Sequence, residues 1–232
     1  MIFNGVEKEN VSVSNDFTLP ARSEIEHIVR PRQKYGSRIA KTKFKELYIP
    51  VPVNVYPGLK TLDVMKVELN EWLFQEGDKK LVFNFFPDYY YLARLSGIEW
   101  QDYSDRVMKG IITFICQDPF RFGTYKTLNI ITTDQTFIIG GQESTSWTSY
   151  TRFTVPQSSY TLESNVGKII LKYDFIAGDV LKIDYRTRDV FLNGKDLAVS
   201  VQLETVWFEL PVGSVQLKAS HATEMKYSER FY

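Results

Sequence analysis

The sequence predicts a mainly β protein with one helix, built as two successive domains. Three observations carry this. Aromatic residues make up 15% of the chain, 14 Tyr, 16 Phe and 4 Trp, and such side chains suit a pleated, half-buried surface. Only the segment from Leu62 repeats its apolar residues at helical steps, while short β-branched and aromatic runs fill the rest. Residues 110–123, GIITFICQDPFRFG, run from a strand into an Asp-Pro break near mid-chain, where a proline removes a backbone donor and ends the ladder. With 232 residues, 44% of them hydrophobic, the chain has material for two ordinary cores.

In the first half, residues 1–3 are short and apolar, and Asn4-Gly5 is a turn signal. Residues 24–30, EIEHIVR, read as a strand. Residues 31–38, PRQKYGSR, are basic and turn-prone, with Gly36 as the bend. Residues 41–48 alternate unevenly. Residues 49–55, IPVPVNV, are apolar, and their prolines confine them to an edge or a bulge. A helix is predicted over 62–75. Leu62, Met65, Leu69, Trp72 and Leu73 share one face, Thr61 is the N-cap, Asp63 suits the first turn and Gly77 supplies the stop. Residues 80–85 and 89–95 are strands joined at Phe86-Pro87-Asp88, and a loop, GIEWQDYSDR, leads to the strand at 110–116. Strands around one helix read as an α+β domain with a largely antiparallel sheet.

After Gly123 the helical period is lost. Strands are predicted at 128–132, 135–139, 152–155, 168–173, 180–185, 190–192, 197–203, 205–210, 215–219 and 225–231. Gly140-Gly141, Asn165-Val166-Gly167, Ala177-Gly178-Asp179, Asn193-Gly194 and Pro211-Val212-Gly213 punctuate them. Asn193-Gly194 is the clearest hairpin, because Asn-Gly accepts the positive φ angles of a type I′ turn. Regularly spaced short strands imply a sandwich or jelly-roll-like domain. The boundary falls near residues 118–126.

Charge and motifs exclude more than they assign. Lys+Arg and Asp+Glu balance at 28 each, so no global field draws the chain to nucleic acid or an acidic membrane. Cys116 is the only cysteine, so no internal disulfide forms, and its apolar strand makes it a small buried hydrophobe. The N-terminus lacks the pattern of a secretory signal, and no run reaches the ~18 apolar residues of a membrane helix. The two histidines, His27 and His221, lie far apart and read as a strand residue and a loop residue. No Cys/His spacing suggests zinc, no Gly-rich phosphate loop or nucleophile elbow occurs, and the carboxylates fall mostly at turns. The expectation is no catalytic residue, no metal and no cofactor.

Two clusters remain. The basic stretch Arg30, Arg32, Lys34, Arg38, Lys41 and Lys43 either lines a pore or meets an acidic neighbour, or is a solvated loop. Trp147, Tyr150, Phe153 and Tyr160 sit among Ser and Thr, where Trp147 and Tyr150 either stack on a sugar ring or pack in the sandwich.

The order of several segments resembles the distal tail proteins of siphophages that infect Gram-positive hosts. These are MIFNGV, LDVMKVELNEWL, KKLVFNFFPDYYYLARLSG and GIITFICQDPFRFG, then FIAGDVLKIDYRTRDVFLNG, VWFELPVGSVQLKAS and MKYSERFY. The resemblance spans nearly the whole chain and is weakest over 124–160. It implies a split-barrel sheet with a helix over residues 1–122, related to tail-tube proteins, and a galectin-like β-sandwich over 123–232. It further implies a homohexameric ring at the virion tail tip, assembled in the host cytoplasm. The ring joins the tail tube to the tail-associated hub protein, carries receptor-binding or accessory components, and leaves a channel through which DNA passes without specific binding. Closed rings need interfaces and no catalytic group. On this reading Arg30, Arg32, Lys34 and Arg38 are interface or channel residues. A galectin-like fold does not by itself bring a sugar site. The alternatives are a carbohydrate-binding module that contacts wall glycan through Trp147 and Tyr150, and a wall hydrolase, for which no nucleophile or acid/base pair emerges.

Overall fold

The computed structural model describes every residue except 33–34 and 105–106, together with the side chains of 101–103. The chain divides into two compact units, Met1–Phe122 with Tyr232, and Gly123–Phe231.

In the first unit the strands are β1 (Ile2–Phe3), β2 (Val6–Glu7), β3 (Val11–Val13), β4 (Ile25–Pro31), β5 (Ser37–Phe44), β6 (Leu47–Val55), β7 (Lys79–Val82), β8 (Tyr91–Tyr103) and β9 (Met108–Cys116). The helix is α1 (Leu62–Leu73). Seven strands form one open sheet in the order β2-β1-β7-β8-β9-β6-β3, with every pairing antiparallel. Alternation sets its inner face. Leu47, Ile49, Val51 and Val55 of β6 lie opposite Cys116, Phe114, Ile112 and Met108 of β9, and all eight are buried. Helix α1 lays Met65, Leu69, Trp72 and Leu73 into the same core, each worth roughly 1.5–3 kcal/mol when fully buried. The Trp72 indole donates to the Phe3 carbonyl at 3.2 Å, so its one polar atom is satisfied inside. Thr61 caps the helix by accepting from the Val64 amide at 3.4 Å. The helix stops at Leu73, two residues before the predicted end, with Phe74 as C-cap.

One expectation for this unit holds in part and a second is corrected. Segment 49–55 pairs with β9 along its whole length, but β3 covers only Val53–Val55, so the part that carries Pro50 and Pro52 is an edge on its other flank, as the prolines predict. Its prolines are tolerated because of the side on which their nitrogens fall. The Asn10 carbonyl takes the Tyr56 amide and the Ser14 amide reaches the Pro52 carbonyl, so even-numbered residues of β6 direct their backbone polar groups toward β3. β3 pairs only with Val53–Val55, so Pro50 and Pro52 interrupt no bond to β9. Second, much of the predicted loop GIEWQDYSDR is strand, since β8 continues to Tyr103. Gly97 and Asp102, which looked like loop residues, pair with Thr113 and Lys109, and the register shifts at Leu95/Gly97 and Trp100/Asp102 leave Ser96 and Gln101 as the extra residues. Ile98 and Trp100 pack against the core from there. The last two residues of that segment lie outside the described residues.

The remaining strands are β10 (Arg121–Ile130), β11 (Gln135–Ile139), β12 (Trp147–Arg152), β13 (Gln157–Ser164), β14 (Gly167–Phe175), β15 (Val180–Asp184), β16 (Asp189–Leu192), β17 (Lys195–Asp196), β18 (Gly213–Ala219) and β19 (Thr223–Phe231). They form a six-stranded sheet, β10-β19-β12-β15-β16-β17, and a four-stranded sheet, β11-β18-β13-β14. Both sheets feed one core. Trp147, Leu181, Ile183 and Met225 come from the first, and Tyr160, Leu162, Leu171 and Leu217 from the second. This is a β-sandwich, the first of the two predicted architectures. Phe153 and Phe175 stack at 4.2 Å within it. Asn193 and Gly194 take φ 51° and 79° and turn the β16–β17 hairpin with Leu192 opposite Lys195, as the Asn-Gly signal predicts.

Segment 197–203 holds a 3₁₀ turn at Ala198–Ser200 in place of a strand, and 205–210 makes only isolated bridges at Val206 and Leu210. β12 ends at Arg152, before most of the predicted 152–155 strand, and β13 was not anticipated. Ser and Thr at 157–161 conceal its alternation, which buries only Tyr160 and Leu162.

Candidate interaction surface

β4 and β5 pair only with each other, as a separate two-stranded sheet. Their root is apolar. Ile25 lies opposite Phe44, whose ring packs on Phe120 at 5.6 Å, and the Lys45 amide donates to the Glu24 carbonyl at 2.9 Å. Beyond the root every residue of both strands is exposed.

The register sorts this arm into two unlike faces. One carries His27 opposite Thr42, Val29 opposite Ile39 and Pro31 opposite Ser37. His27 Nδ1 lies 3.1 Å from Thr42 Oγ1, and Val29 and Ile39 are 55% and 59% exposed. The other face carries Glu26 opposite Lys43, Ile28 opposite Lys41 and Arg30 opposite Arg38. A register shift between Ile28 and Val29 keeps the two sets on opposite sides. Like charges directly opposite each other destabilise a strand pair, so the Arg30–Arg38 pair favours an anion beside it. Between Ile25 and Phe44 the sequence holds six Lys/Arg against one Glu. Since the whole chain balances at 28 each, the rest of the molecule is acidic.

The structure therefore brings Arg30 and Arg38 together on one face of the arm, with Arg32 exposed just beyond β4. Lys34 lies outside the described residues. The aliphatic face of Val29 and Ile39 was missed in the sequence, and becomes legible only once the pairing register is known.

Trp147 and Tyr150 are separated by the sheet. They stand three residues apart on β12, so alternation sends them to opposite faces. Trp147 is 2% exposed, packs on Phe208 at 5.3 Å and donates its indole hydrogen to the Phe208 carbonyl at 2.9 Å. It takes the packing role and has no face open to a sugar. Tyr150 is 37% exposed on the outer face. Phe153 and Tyr160 are core residues, and the Tyr160 hydroxyl lies 2.9 Å from Thr223 Oγ1.

The titratable groups inside are structural. Cys116 is fully buried, and burial, followed by the charges of Asp78 and Asp118, pushes its thiol up to about 12. Burial likewise pushes Tyr91 up to about 12. His221 sits between β18 and β19 with its ring 4.9 Å from Phe153, and burial lowers its pKa. Among the described residues no three His, Cys, Asp or Glu side chains converge as a metal-holding group, and no helix is long and apolar enough to cross a membrane.

Residues 5–116 match the phage tail protein RIFT-related domain, and residues 140–231 match the siphovirus-type tail component, C-terminal domain. The distal tail protein of Bacillus phage SPP1 is 28% identical over 169 residues, 70% of this chain and 67% of that protein. The crystal structure of SPP1 Dit, described as a paradigm of the hub adsorption apparatus in phages that infect Gram-positive hosts, superposes with a TM-score of 0.83 at 20% identity. It covers 100% of this chain and 98% of that one. A chain of the activated phage p2 baseplate shares the fold more loosely, with a TM-score of 0.52 at 11% identity over 94% and 90% of the two chains. Both halves are thus domains of siphovirus tail components. The chain belongs to the siphophage distal tail protein family, the tail-tip and baseplate hub proteins of phages of Gram-positive hosts, and is a component of the virion tail.

Proposed function

We propose that the protein is a structural hub of the tail tip, with no enzymatic role, and that six copies close into a ring through the β4–β5 arm. The observation that carries this is the arm itself, a hairpin with an aliphatic face and a basic face, neither covered by its own chain. An isolated hairpin is marginal in water, so it gains most by docking. Its surplus of positive charge faces a molecule that is otherwise acidic, so the arm of one copy suits the body of the next. Such a contact joins two different patches, and a head-to-tail contact of this kind closes into a ring when the rotation permits. The ring would join the tail tube to the hub protein, with residues 1–122 as its ring-forming tube-like domain and DNA passing through unread. The domain of residues 123–232, galectin-like on this reading, would be peripheral and available to receptor-binding or accessory proteins.

Light scattering on a sizing column tests the reading. The expected species is about six times the 27.0 kDa chain, alone or with tail tube protein. The double variant Arg32→Glu/Arg38→Glu should stay monomeric with an unchanged melting temperature. Assembly that survives this variant and the loss of both Val29 and Ile39 side chains would remove the arm from the interface.

A further inference from the structure

We propose that the outer face of the six-stranded sheet holds a shallow groove that binds a neutral saccharide, with Tyr150 as its stacking platform. The groove has a volume of about 470 Å³ and crosses four adjacent strands, from Asn129 on β10, past Glu224 on β19 and Tyr150 and Arg152 on β12, to Val180 on β15. Three strand spacings of about 4.8 Å make it roughly 14 Å long, enough for more than one pyranose ring.

The register places the polar groups around the aromatic ring. Tyr150 lies directly opposite Glu224 on one neighbouring strand and Lys182 on the other. Arg152 follows two residues on, on the same face. Lys226 reaches back so that its Nζ lies 5.4 Å from the Tyr150 ring centroid and 2.8 Å from Glu224 Oε1. Neither Arg152 nor Asn129 has a side-chain partner among the described residues, so a guanidinium and an amide stand ready at the rim.

A pyranose presents a C–H face that suits an aromatic ring, and an equatorial fringe of hydroxyls that both donate and accept. A carboxylate, a guanidinium and an amide around one tyrosine match that fringe, the first by accepting and the second by donating in a planar fork. A few placed polar groups around an aromatic floor are the usual makings of a small-molecule site. Trp147 has no part in this site.

Saturation-transfer NMR on the full chain, with cellotetraose and tetra-N-acetylchitotetraose at millimolar concentration, provides the test. The expected result is a signal from at least one of these sugars that persists at high salt. Tyr150→Ala should weaken it about tenfold, equivalent to about 1.4 kcal/mol, and Arg152→Ala by a smaller factor. Tyr173→Ala, at an exposed tyrosine outside the groove, should leave it unchanged, and all variants should keep the parent melting temperature. Silence with both sugars, a signal indifferent to Tyr150→Ala, or binding only to poly(glycerol phosphate) that vanishes in salt would each overturn the assignment. The ring proposal is untouched by any of these outcomes.

Discussion

Hairpins β4–β5 and β13–β14 are antiparallel pairs of similar size, with strands of seven and eight residues in one and eight and nine in the other, and each has one shift in register. β13 and β14 put Tyr160, Leu162, Ile169, Leu171 and Phe175 into the sandwich core, and β13 also pairs with β18. β4 and β5 bury none of their residues. Backbone pairing is common to both, so the difference lies in what the side chains face. A hairpin inside the sandwich draws its stability from apolar burial, whereas the arm gains almost none of it within its own chain.

The comparison breaks most visibly at Phe175. Phe175→Ala removes a ring stacked on Phe153 at 4.2 Å and should cost about 3–5 kcal/mol in urea unfolding. Tyr160→Phe keeps the ring and deletes only the hydroxyl that meets Thr223, so the same measurement should read about 1 kcal/mol. On the arm, Val29→Ser with Ile39→Ser should shift monomer stability by no more than about 0.5 kcal/mol. A larger loss would mean that the arm packs on its own chain after all. The smallest effect concerns His221. Burial lowers its folded pKa below its unfolded value near 6.5, so its contribution is complete above that pH and is lost as pH falls through the folded value. A melting series at descending pH should fall less steeply for His221→Asn than for the parent.

Helix α1 and the Asn193-Gly194 turn were legible because local chemistry decides them, through helical apolar spacing, a Thr cap and an Asn-Gly pair. What stayed hidden depends on partners distant in sequence. Nothing within GIEWQDYSDR announces that β9 will hold Gly97–Tyr103 in a ladder, or that two register shifts will accommodate it. The polar alternation of β13 concealed a strand that tertiary packing makes essential. At the candidate sites, the basic charge of the arm could be read directly. The separation of its aliphatic from its basic face could not, since it follows from a register set by one shift at Ile28/Val29. Placing the strand start beyond Tyr150 likewise hid the fact that Tyr150 and Arg152 share a face while Trp147 turns away.

The prolines of β6 have an effect beyond being tolerated. Where β3 stops, the flank of β6 would otherwise offer a row of amide hydrogens to any passing strand, in a molecule that already carries one unpartnered hairpin. Pro50 and Pro52 present no hydrogens there, so a stray chain finds carbonyls but few donors with which to extend the sheet. Between copies of the chain, this blunted margin discourages irregular sheet-to-sheet growth.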